Sequence, residues 1–296
     1  MVRVYRGLPA PRHACPRPFA ARCGVVEENN HSIDVYNGYM TEDRVSYVPT
    51  LAQADELHRL IAPSSAAYDL IHTHCVIVAT ITRQLVRHQN ALFICSGLAQ
   101  EARTPQSHPR VPEVEGRVPD GSMPVDEDVE GGVAPSGPLD ENLAVTGALL
   151  HDIGTYLVLR NDGGDGGPVT FDGPNYILHG LRGYRWLLSH GVDESIAQFA
   201  RNHTGVGLTR EQVVAQNLPL PPDDYSPANR EQEVVMVADK YNSKSIPPRF
   251  LTADAYARKA ARYGNANKQA WLALVRRYGV PDIPALARRF RMNLER

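Results

Sequence analysis

Apolar residues recur at helical spacing along most of the chain. Between residues 51 and 61, and again between residues 66 and 88, they return every three or four positions, which is the period of an amphipathic helix. Pro63 and Ser64 separate the two segments. The apolar face of the first segment comprises Leu51, Ala54, Leu57, Leu60 and Ile61. No alternation of apolar and polar residues competes seriously with this period, so the pattern predicts an all-α fold.

Start and stop signals divide the second half of the chain into shorter helices. Asp193 is a natural N-cap, and Thr209 with Gln212 matches a capping box. Ser226 and Pro227 predict the start of another helix, because proline is tolerated in a first turn. Further helices are predicted at 141–153, through 179 and 183 to a stop at 191, at 252–264, at 265–279 and from 282 onward.

Two segments show no sustained period. Residues 1–50 contain five prolines and are predicted to form an irregular N-terminal arm. The period is lost again from about residue 89 to 138, and residues 101–140 combine seven prolines and five glycines with nine acids. Such a composition buries too little apolar surface to offset the cost of ordering the backbone. We therefore predict one domain over 51–296, interrupted by a long disordered acidic insertion at about 89–138.

Composition and charge narrow the class of protein. The chain has 296 residues, of which 43% are hydrophobic and 22% charged, and its formal net charge is −2. This balance predicts neither a nucleic-acid partner nor an anionic membrane as partner. No apolar run approaches the roughly 20 residues that span a bilayer. Four dispersed cysteines indicate neither a disulfide scaffold nor a zinc ribbon. A soluble cytoplasmic protein is the expectation.

Histidine and aspartate residues lie on several predicted helices. His151 and Asp152 are consecutive at the end of an apolar run, His74 lies in the middle of another, and Asp239 lies near the end of a third. Neutral imidazole and carboxylate groups suit divalent transition ions such as Mn, Fe, Zn, Co or Ni. We therefore predict that His74, His151, Asp152 and Asp239 hold a metal ion.

The order of these residues, with the His-Asp-Ile-Gly form of the pair, resembles the HD-domain superfamily of metal-dependent phosphohydrolases. The resemblance runs from about residue 51 to 290 and is that of a little-characterised bacterial branch. It implies a helical bundle. In relatives with further histidines between the His-Asp pair and the last Asp, a second ion lies beside the first. The resemblance thus implies that His179 and His203 complete a second site, bridged to the first by Asp152.

The implied activity is hydrolysis of a small phosphate ester, foremost a nucleotide. Two ions about 4 Å apart can share a hydroxide that attacks phosphorus. Asp152 would orient or deprotonate the water, while Lys240 and Lys244, expected one helical turn apart, would offset the phosphate charge. Arg182 is a third candidate cation. Thr155 stands where many relatives carry a phosphate-binding lysine, which argues against a cyclic-dinucleotide activity.

Other interpretations stay open from the sequence. His179 could be a core histidine, His203 could cap a helix, and the two lysines could form a solvated pair. His72 is expected to point away from the site, and Cys75 is expected to be a small core residue. At the level of function, six candidate ligands also permit an HD-type di-iron oxygenase. The long insertion is compatible with a degenerate regulatory binding module.

Overall fold

The computed structural model describes residues 46–101 and 129–296. Within these ranges the chain forms ten α-helices, which are α1 (Leu51–Ile61), α2 (Ser65–Glu101), α3 (Glu141–Leu150), α4 (His179–Ser189), α5 (Glu194–Arg201), α6 (Arg210–Ala215), α7 (Arg230–Asp239), α8 (Ala253–Ala261), α9 (Asn265–Tyr278) and α10 (Ile283–Arg289). Two 3-10 helices lie between α3 and α4: Ile153–Val158 follows the His-Asp pair, and Gly173–Leu178 comes directly before α4. No helix in the described ranges has both the length and the apolar character needed to cross a membrane.

Short strands join these helices. They are β1 (Val129–Glu130), β2 (Leu159–Asn161), β3 (Thr170–Phe171), β4 (Asn242–Ser243), β5 (Arg249–Leu251), β6 (Val280–Pro281) and β7 (Asn293–Glu295). β1 pairs with β6 and β2 with β3, while β5 lies between antiparallel β4 and parallel β7. Because each strand has only two or three residues, the helices carry the architecture. The predicted all-α helical bundle is confirmed.

The long helix α2 runs through the largest hydrophobic core. Ile77, Ile81 and Leu85 on this helix are completely buried, and α2 packs against both α3 and α7. This packing brings the N-terminal third of α2 and the C-terminal ends of α3 and α7 together. These are the three places where His74, His151 and Asp239 lie.

Two glycines allow the close approach of the elements around the His-Asp pair. A Cβ atom at Gly147 would collide with the ring of Phe199, so glycine lets α3 lie directly against α5. A Cβ atom at Gly154 would collide with the carbonyl oxygen of His179 and the backbone of Gly183. Gly154 therefore lets the segment after the His-Asp pair pack against the first turns of α4.

Most predicted helix caps are present. Asp193 accepts a hydrogen bond from the Ser195 backbone at 3.0 Å, and Thr209 with Gln212 forms the predicted capping box. The start predicted at Ser226 and Pro227 is wrong. Helix α7 begins at Arg230, because the backbone of Asn229 is extended and its side chain caps the helix.

The predicted apolar face of α1 is only partly buried. Ala54 and Leu57 face the core, and His58 is fully buried beside them. Leu51 and Leu60 are instead 51% and 65% exposed, since they lie at the edges of the face that contacts the rest of the domain.

The predicted acidic insertion is shorter at both ends than the sequence indicated. Helix α2 continues to Glu101, so residues 89–101 are not irregular. Gln89 and Asn90 break the apolar period, but their amides hydrogen-bond to the backbone of Arg277 and Leu139. At the other end, Val129 is buried in β1. Residues 102–128, and residues 1–45 of the predicted arm, lie outside the described residues.

Candidate metal centre

The structure brings all six predicted ligand side chains together. They lie in the N-terminal third of α2 (His74), directly after α3 (His151 and Asp152), at the start of α4 (His179), just after α5 (His203) and at the end of α7 (Asp239). Their ligand atoms form two groups, and in each group the atoms lie within 4.8 Å of one another. The first group comprises His74, His151, Asp152 and Asp239, and the second comprises Asp152, His179 and His203.

The first group surrounds one carboxylate oxygen from each aspartate. His74 Nε2 lies 3.1 Å from Asp152 Oδ2 and 3.1 Å from Asp239 Oδ1. His151 Nε2 lies 3.8 Å and 3.6 Å from the same two oxygens. Two imidazole nitrogens and two carboxylate oxygens therefore converge on one point, as ligands of a single cation would.

The second group uses the other oxygen of Asp152. Asp152 Oδ1 lies 3.5 Å from His179 Nε2 and 3.7 Å from His203 Nε2. Because each oxygen of this carboxylate belongs to a different group, Asp152 has the geometry of a bridge between two cation sites.

All four imidazoles have the same tautomer imposed on them. The Nδ1 acceptors are Asn242 Oδ1 for His74 at 2.8 Å, Ala148 O for His151 at 2.6 Å, Tyr176 O for His179 at 2.6 Å and Ala200 O for His203 at 2.8 Å. A carbonyl oxygen only accepts, so each Nδ1 must carry the proton. The Nε2 atom of each neutral ring is then an unprotonated lone pair aimed at the aspartates.

Among the described residues, no group donates a proton to these lone pairs. His74 Nε2 and His151 Nε2 are buried without a hydrogen-bond partner, because the nearby carboxylate oxygens cannot donate. His179 Nε2 and His203 Nε2 face each other at 2.9 Å, although neither carries a proton in this tautomer. A divalent transition ion at each group would satisfy every one of these atoms, so the residues fit such ions.

Two buried lysines keep the aspartates ionised. Lys240 Nζ donates to Asp239 Oδ2 at 2.6 Å and to the carbonyl of His203 at 2.9 Å, and Lys244 Nζ contacts Asp152 Oδ2. Burial acts to raise the pKa of both carboxyls, but the two ammonium groups outweigh it and hold each pKa well below its usual range. Both acids are therefore available as anionic ligands at neutral pH.

The histidines divide by their electrostatic surroundings. Burial lowers the pKa of His151, and it lowers the pKa of His179 to about 3. Both rings are thus neutral, which is the form that binds metals. For His74 burial also acts downward, but the nearby carboxylates of Asp152 and Asp239 outweigh it and raise the pKa. The same carboxylates that attract a proton to His74 would attract a cation.

The relation predicted between the two lysines is wrong. Helix α7 ends at Asp239, so Lys240 is the first residue beyond the helix and Lys244 follows strand β4. The helix cannot continue through them, because Asn242 and Ser243 pair with β5. Lys244 reaches the site from a separate direction and contacts the other aspartate.

Thr155 stands where many relatives carry a lysine, and the structure gives it a role that this difference did not suggest. Its hydroxyl donates to Asp152 Oδ1 at 2.8 Å, and the side chain is fully buried. This bond holds the oxygen that faces His179 and His203. The positive charge beside Asp152 comes instead from Lys244.

Three other residues singled out in the sequence belong to neither ligand group. His72 pairs with Asp55 at 3.1 Å and stacks on Tyr68. Cys75 is fully buried. Arg182 donates to the carbonyl of Leu157 at 2.6 Å and does not line the cavity beside the cluster, so it is not placed for phosphate contact.

A cavity of about 580 Å³ opens beside the second group. His179, His203 and Asp239 lie at its inner end with Lys240 and Lys244. The lining also includes side chains of α6, α8 and α9 and of the segment around β3, which are Phe171, Gln212, Gln216, Tyr256, Lys259, Tyr263 and Asn267. The first group lies deeper, with His151 and Asp152 fully buried.

Sequence reasoning missed Asn242, Tyr176 and Lys259. Asn242 orients His74 through a contact that spans most of the chain, and no local pattern reveals it. The Tyr176 ring stacks on His179 with centroids 4.7 Å apart, and its three-residue spacing from that histidine was the available signal. Lys259 lies on the cavity wall without a carboxylate partner among the described residues, and burial, followed by the charge of Lys240, lowers its pKa.

The chain matches the HD domain family over residues 71–243, which is more than half of its length and includes all six candidate ligands. The HD domain of the phosphodiesterase PgpH from L. monocytogenes is a structural neighbour, with a TM-score of 0.37 and 12% identity over 80% of this chain and 98% of the other. A crystal structure of that domain in complex with cyclic-di-AMP has the same TM-score and identity and covers 79% and 95%.

Curated relatives match a third of the chain. A tRNA (cytidine(56)-2'-O)-methyltransferase from Picrophilus torridus is 35% identical over 102 residues, which is 34% of this chain and 25% of the relative. A protein of the same name from Thermoplasma volcanium is 34% identical, and the match covers 34% and 24%. The uncharacterized protein MJ0778 from Methanocaldococcus jannaschii is 37% identical, and the match covers 34% and 49%. The chain spans a quarter to a half of these relatives' length.

Proposed function

The chain belongs to the HD domain family, and we propose that it is a metal-dependent phosphohydrolase that cleaves a small phosphate ester, foremost a nucleotide. The family and the His-Asp cluster support a metal-dependent phosphohydrolase in general. The choice of a nucleotide as the substrate is more specific, and it rests on the side chains that line the cavity beside the cluster.

The observation that carries the proposal is the shared tautomer of the four histidines. Hydrogen bonds to acceptor oxygens leave four bare Nε2 atoms aimed at two ionised carboxylates. One ion would be held by His74, His151, Asp152 and Asp239, and a second by Asp152, His179 and His203. When bound, such ions supply a water of lowered pKa and positive charge for a phosphoryl group.

The protein's own residues have separate tasks in this proposal. Asp152 orients the attacking water, and the hydroxyl of Thr155 holds one of its oxygens in place. Lys240 and Lys244 keep the carboxylates ionised and place positive charge where the phosphate enters. Lys259 adds a charge on the cavity wall that forms no ion pair with a carboxylate of the described residues, so it is proposed to contact a phosphate oxygen.

The lining of the cavity supports a nucleotide as the substrate. A volume of about 580 Å³ is within the usual range for small-molecule sites. Phe171 and Tyr263 offer aromatic surfaces on which a base can stack, and Gln212 and Asn267 offer amides that can pair with its edge. In this proposal the lysines of the lining match the phosphate of a nucleotide, and the aromatic and amide side chains match its base.

The test is phosphate release by reconstituted protein. Protein treated with a chelator is loaded in turn with Mn²⁺, Fe²⁺, Zn²⁺, Co²⁺ or Ni²⁺ and given nucleoside monophosphates, ribose 5-phosphate and p-nitrophenyl phosphate. We expect metal-dependent phosphate release, with the highest kcat/KM for a nucleotide. Absence of release with every metal and substrate would contradict the proposal. Oxygen consumption by the iron-loaded protein without phosphate release would favour an oxygenase instead.

The substitution Asp152→Ala tests the centre itself. We expect it to abolish both metal binding and hydrolysis, because each of its oxygens serves one ligand group. Metal content is measured by elemental analysis beside turnover. Asp254→Ala, an exposed aspartate on α8, is the matched control and should leave both unchanged. Near-wild-type metal content and turnover in Asp152→Ala would show that the assignment is wrong.

A further inference from the structure

His58 is a buried titratable residue that the proposed chemistry does not use. It lies on α1, outside both ligand groups, and its side chain has no solvent exposure. Its Nε2 atom lies 2.7 Å from the carbonyl oxygen of Leu149, and its Nδ1 atom lies 3.0 Å from the hydroxyl of Tyr156. These two partners stand on either side of the His-Asp pair in the sequence.

The hydrogen-bond directions at His58 follow from its partners. The carbonyl of Leu149 can only accept, so Nε2 carries the proton, and Nδ1 accepts from the Tyr156 hydroxyl. Burial lowers the pKa of His58 to about 4, so the ring is neutral under ordinary conditions. His58 is therefore fixed as a donor to the Leu149 carbonyl.

The end of α3 offers several carbonyls in a row. The last four carbonyls of a helix lack amide partners from the same helix. Helix α3 ends at Leu150, and the two preceding carbonyls accept from imidazoles: Ala148 O from His151 Nδ1 at 2.6 Å, and Leu149 O from His58 Nε2. Of these two adjacent carbonyls, one accepts from the candidate ligand His151 and the other from His58, which is not a candidate ligand.

We propose that His58 positions His151 by occupying the Leu149 carbonyl. With that carbonyl taken, His151 has Ala148 O as its acceptor, and its Nε2 atom is held toward Asp152 and Asp239. Without the bond from His58, an unpaired buried carbonyl would compete for the Nδ1 proton of His151 and turn the ring away from the aspartates. This inference rests on the proposed metal centre.

The test compares three substitutions at His58. His58→Gln retains a donor near the position of Nε2, His58→Asn has its amide near the position of Nδ1, and His58→Ala has neither. Co²⁺ affinity is measured by competition with a chelator, and the visible absorption of bound Co²⁺ reports the ligand geometry. We expect His58→Asn and His58→Ala to weaken Co²⁺ binding by about 10–100-fold and alter the spectrum, as loss of a supporting bond does. His58→Gln should stay within about 3-fold of wild type, since its donor persists.

A merely structural role for His58 gives a different pattern. It would lower the melting temperature of all three variants and leave the affinity and spectrum of the folded protein unchanged. Wild-type affinity in His58→Ala or His58→Asn would overturn the inference. Equal weakening in His58→Gln and His58→Ala, or loss of folding in His58→Gln, would also overturn it, because the donor is retained there.

His72 provides the matched control. Its ring lies 5.1 Å from that of His58 and is partly buried, but it pairs with Asp55 rather than with α3. His72→Gln and His72→Asn should therefore leave Co²⁺ affinity unchanged. Because the readout is metal binding, the inference and the proposed function can fail separately. A protein that binds Co²⁺ in this pattern and releases no phosphate would contradict only the hydrolase.

Discussion

Each candidate ligand is specified at the residue scale by two requirements, of which the sequence reveals one. The residue types and their order along the chain, together with the family resemblance, predicted all six candidate ligands. The orientation of each ring depends on an acceptor, and for His74 this is Asn242, which is 168 residues away. Such a partner leaves no local pattern. The exchange of a lysine for Thr155 was likewise visible in the sequence, but its bond to Asp152 was not.

The second ligand group can be tested by removing one imidazole at a time. His179→Ala and His203→Ala should each reduce bound metal from two equivalents toward one and leave the helical fold intact. The affected ion loses a direct ligand, so its affinity should fall by more than the roughly 10–100-fold seen for supporting residues. Equilibrium dialysis with elemental analysis gives the stoichiometry, and circular dichroism checks the fold.

The two outcomes of this experiment separate one-ion from two-ion chemistry. Retention of the first ion is expected, because His74, His151, Asp152 and Asp239 are untouched. If both variants kept full stoichiometry and activity, His179 and His203 would be structural histidines. A di-iron oxygenase would then be excluded as well, since it requires both ions.

At the scale of the element, most of the local capping signals were reliable. The caps of α5 and α6 use side chains within three residues of the helix start, so the sequence predicted them directly. The end of α2 was missed, because Gln89 and Asn90 look like breaks in the apolar period. Their amides hydrogen-bond to the backbone of Arg277 and Leu139, which are distant in the sequence, so only the fold reveals these bonds.

The contact between the His-Asp segment and α4 can be tested at Gly154. Gly154→Ala places a methyl group against the carbonyl of His179 and the backbone of Gly183, neither of which can move without shifting α4. We expect a loss of about 1–3 kcal/mol in the free energy of unfolding, the usual cost of overpacking. Metal content should fall too, since α4 carries His179. Denaturant unfolding and elemental analysis measure the two effects.

Gly137→Ala is the control for this substitution. A Cβ atom at Gly137 would meet no atom within 4 Å, and its backbone is not left-handed. Stability and metal content should remain close to wild type. An equally small effect of Gly154→Ala would show that α4 does not need this close approach.

Buried neutral histidines make the stability of the whole domain depend on pH. Burial lowers the pKa of His58 to about 4, whereas an imidazole in the unfolded chain titrates near a pKa of about 6.5. Between these values the unfolded state binds the additional proton, so the free energy of unfolding falls as the pH falls. His58→Gln removes this contribution. The slope of stability against pH should therefore become shallower by up to about 1.4 kcal/mol per pH unit.

Urea denaturation of chelator-treated protein at several pH values between 4.5 and 6.5 measures this slope. Wild-type and His58→Gln curves should converge as the pH falls, because only the wild type loses the His58 contribution. Parallel curves would mean that His58 is not held neutral in the folded state.

At the scale of the whole molecule, the fold class was predictable from the sequence, but the strand pairings that join distant segments of the domain were not. Helical periodicity was enough to predict an all-α bundle. Strands of two or three residues are too short to produce an alternating pattern, so the pairing of β1 with β6 was not foreseen. That pairing joins residues 129–130 to the segment after α9, and it shows that the end of the predicted insertion is part of the domain.

The boundary of the insertion gives a deletion experiment with two arms. Replacing residues 102–128 by a short Gly/Ser linker should change the melting temperature by only a few degrees, because their composition supplies few core side chains. Extending the replacement to residue 139 should be far more harmful. It removes the buried side chains of Val129 and Leu139, which are 7% and 5% exposed, together with the bonds from Asn90 to Leu139. Burial of two such side chains contributes about 3–6 kcal/mol, a large part of the stability of a domain. Thermal unfolding of both variants decides the point, and equal stability would place the boundary of the domain after residue 139 instead.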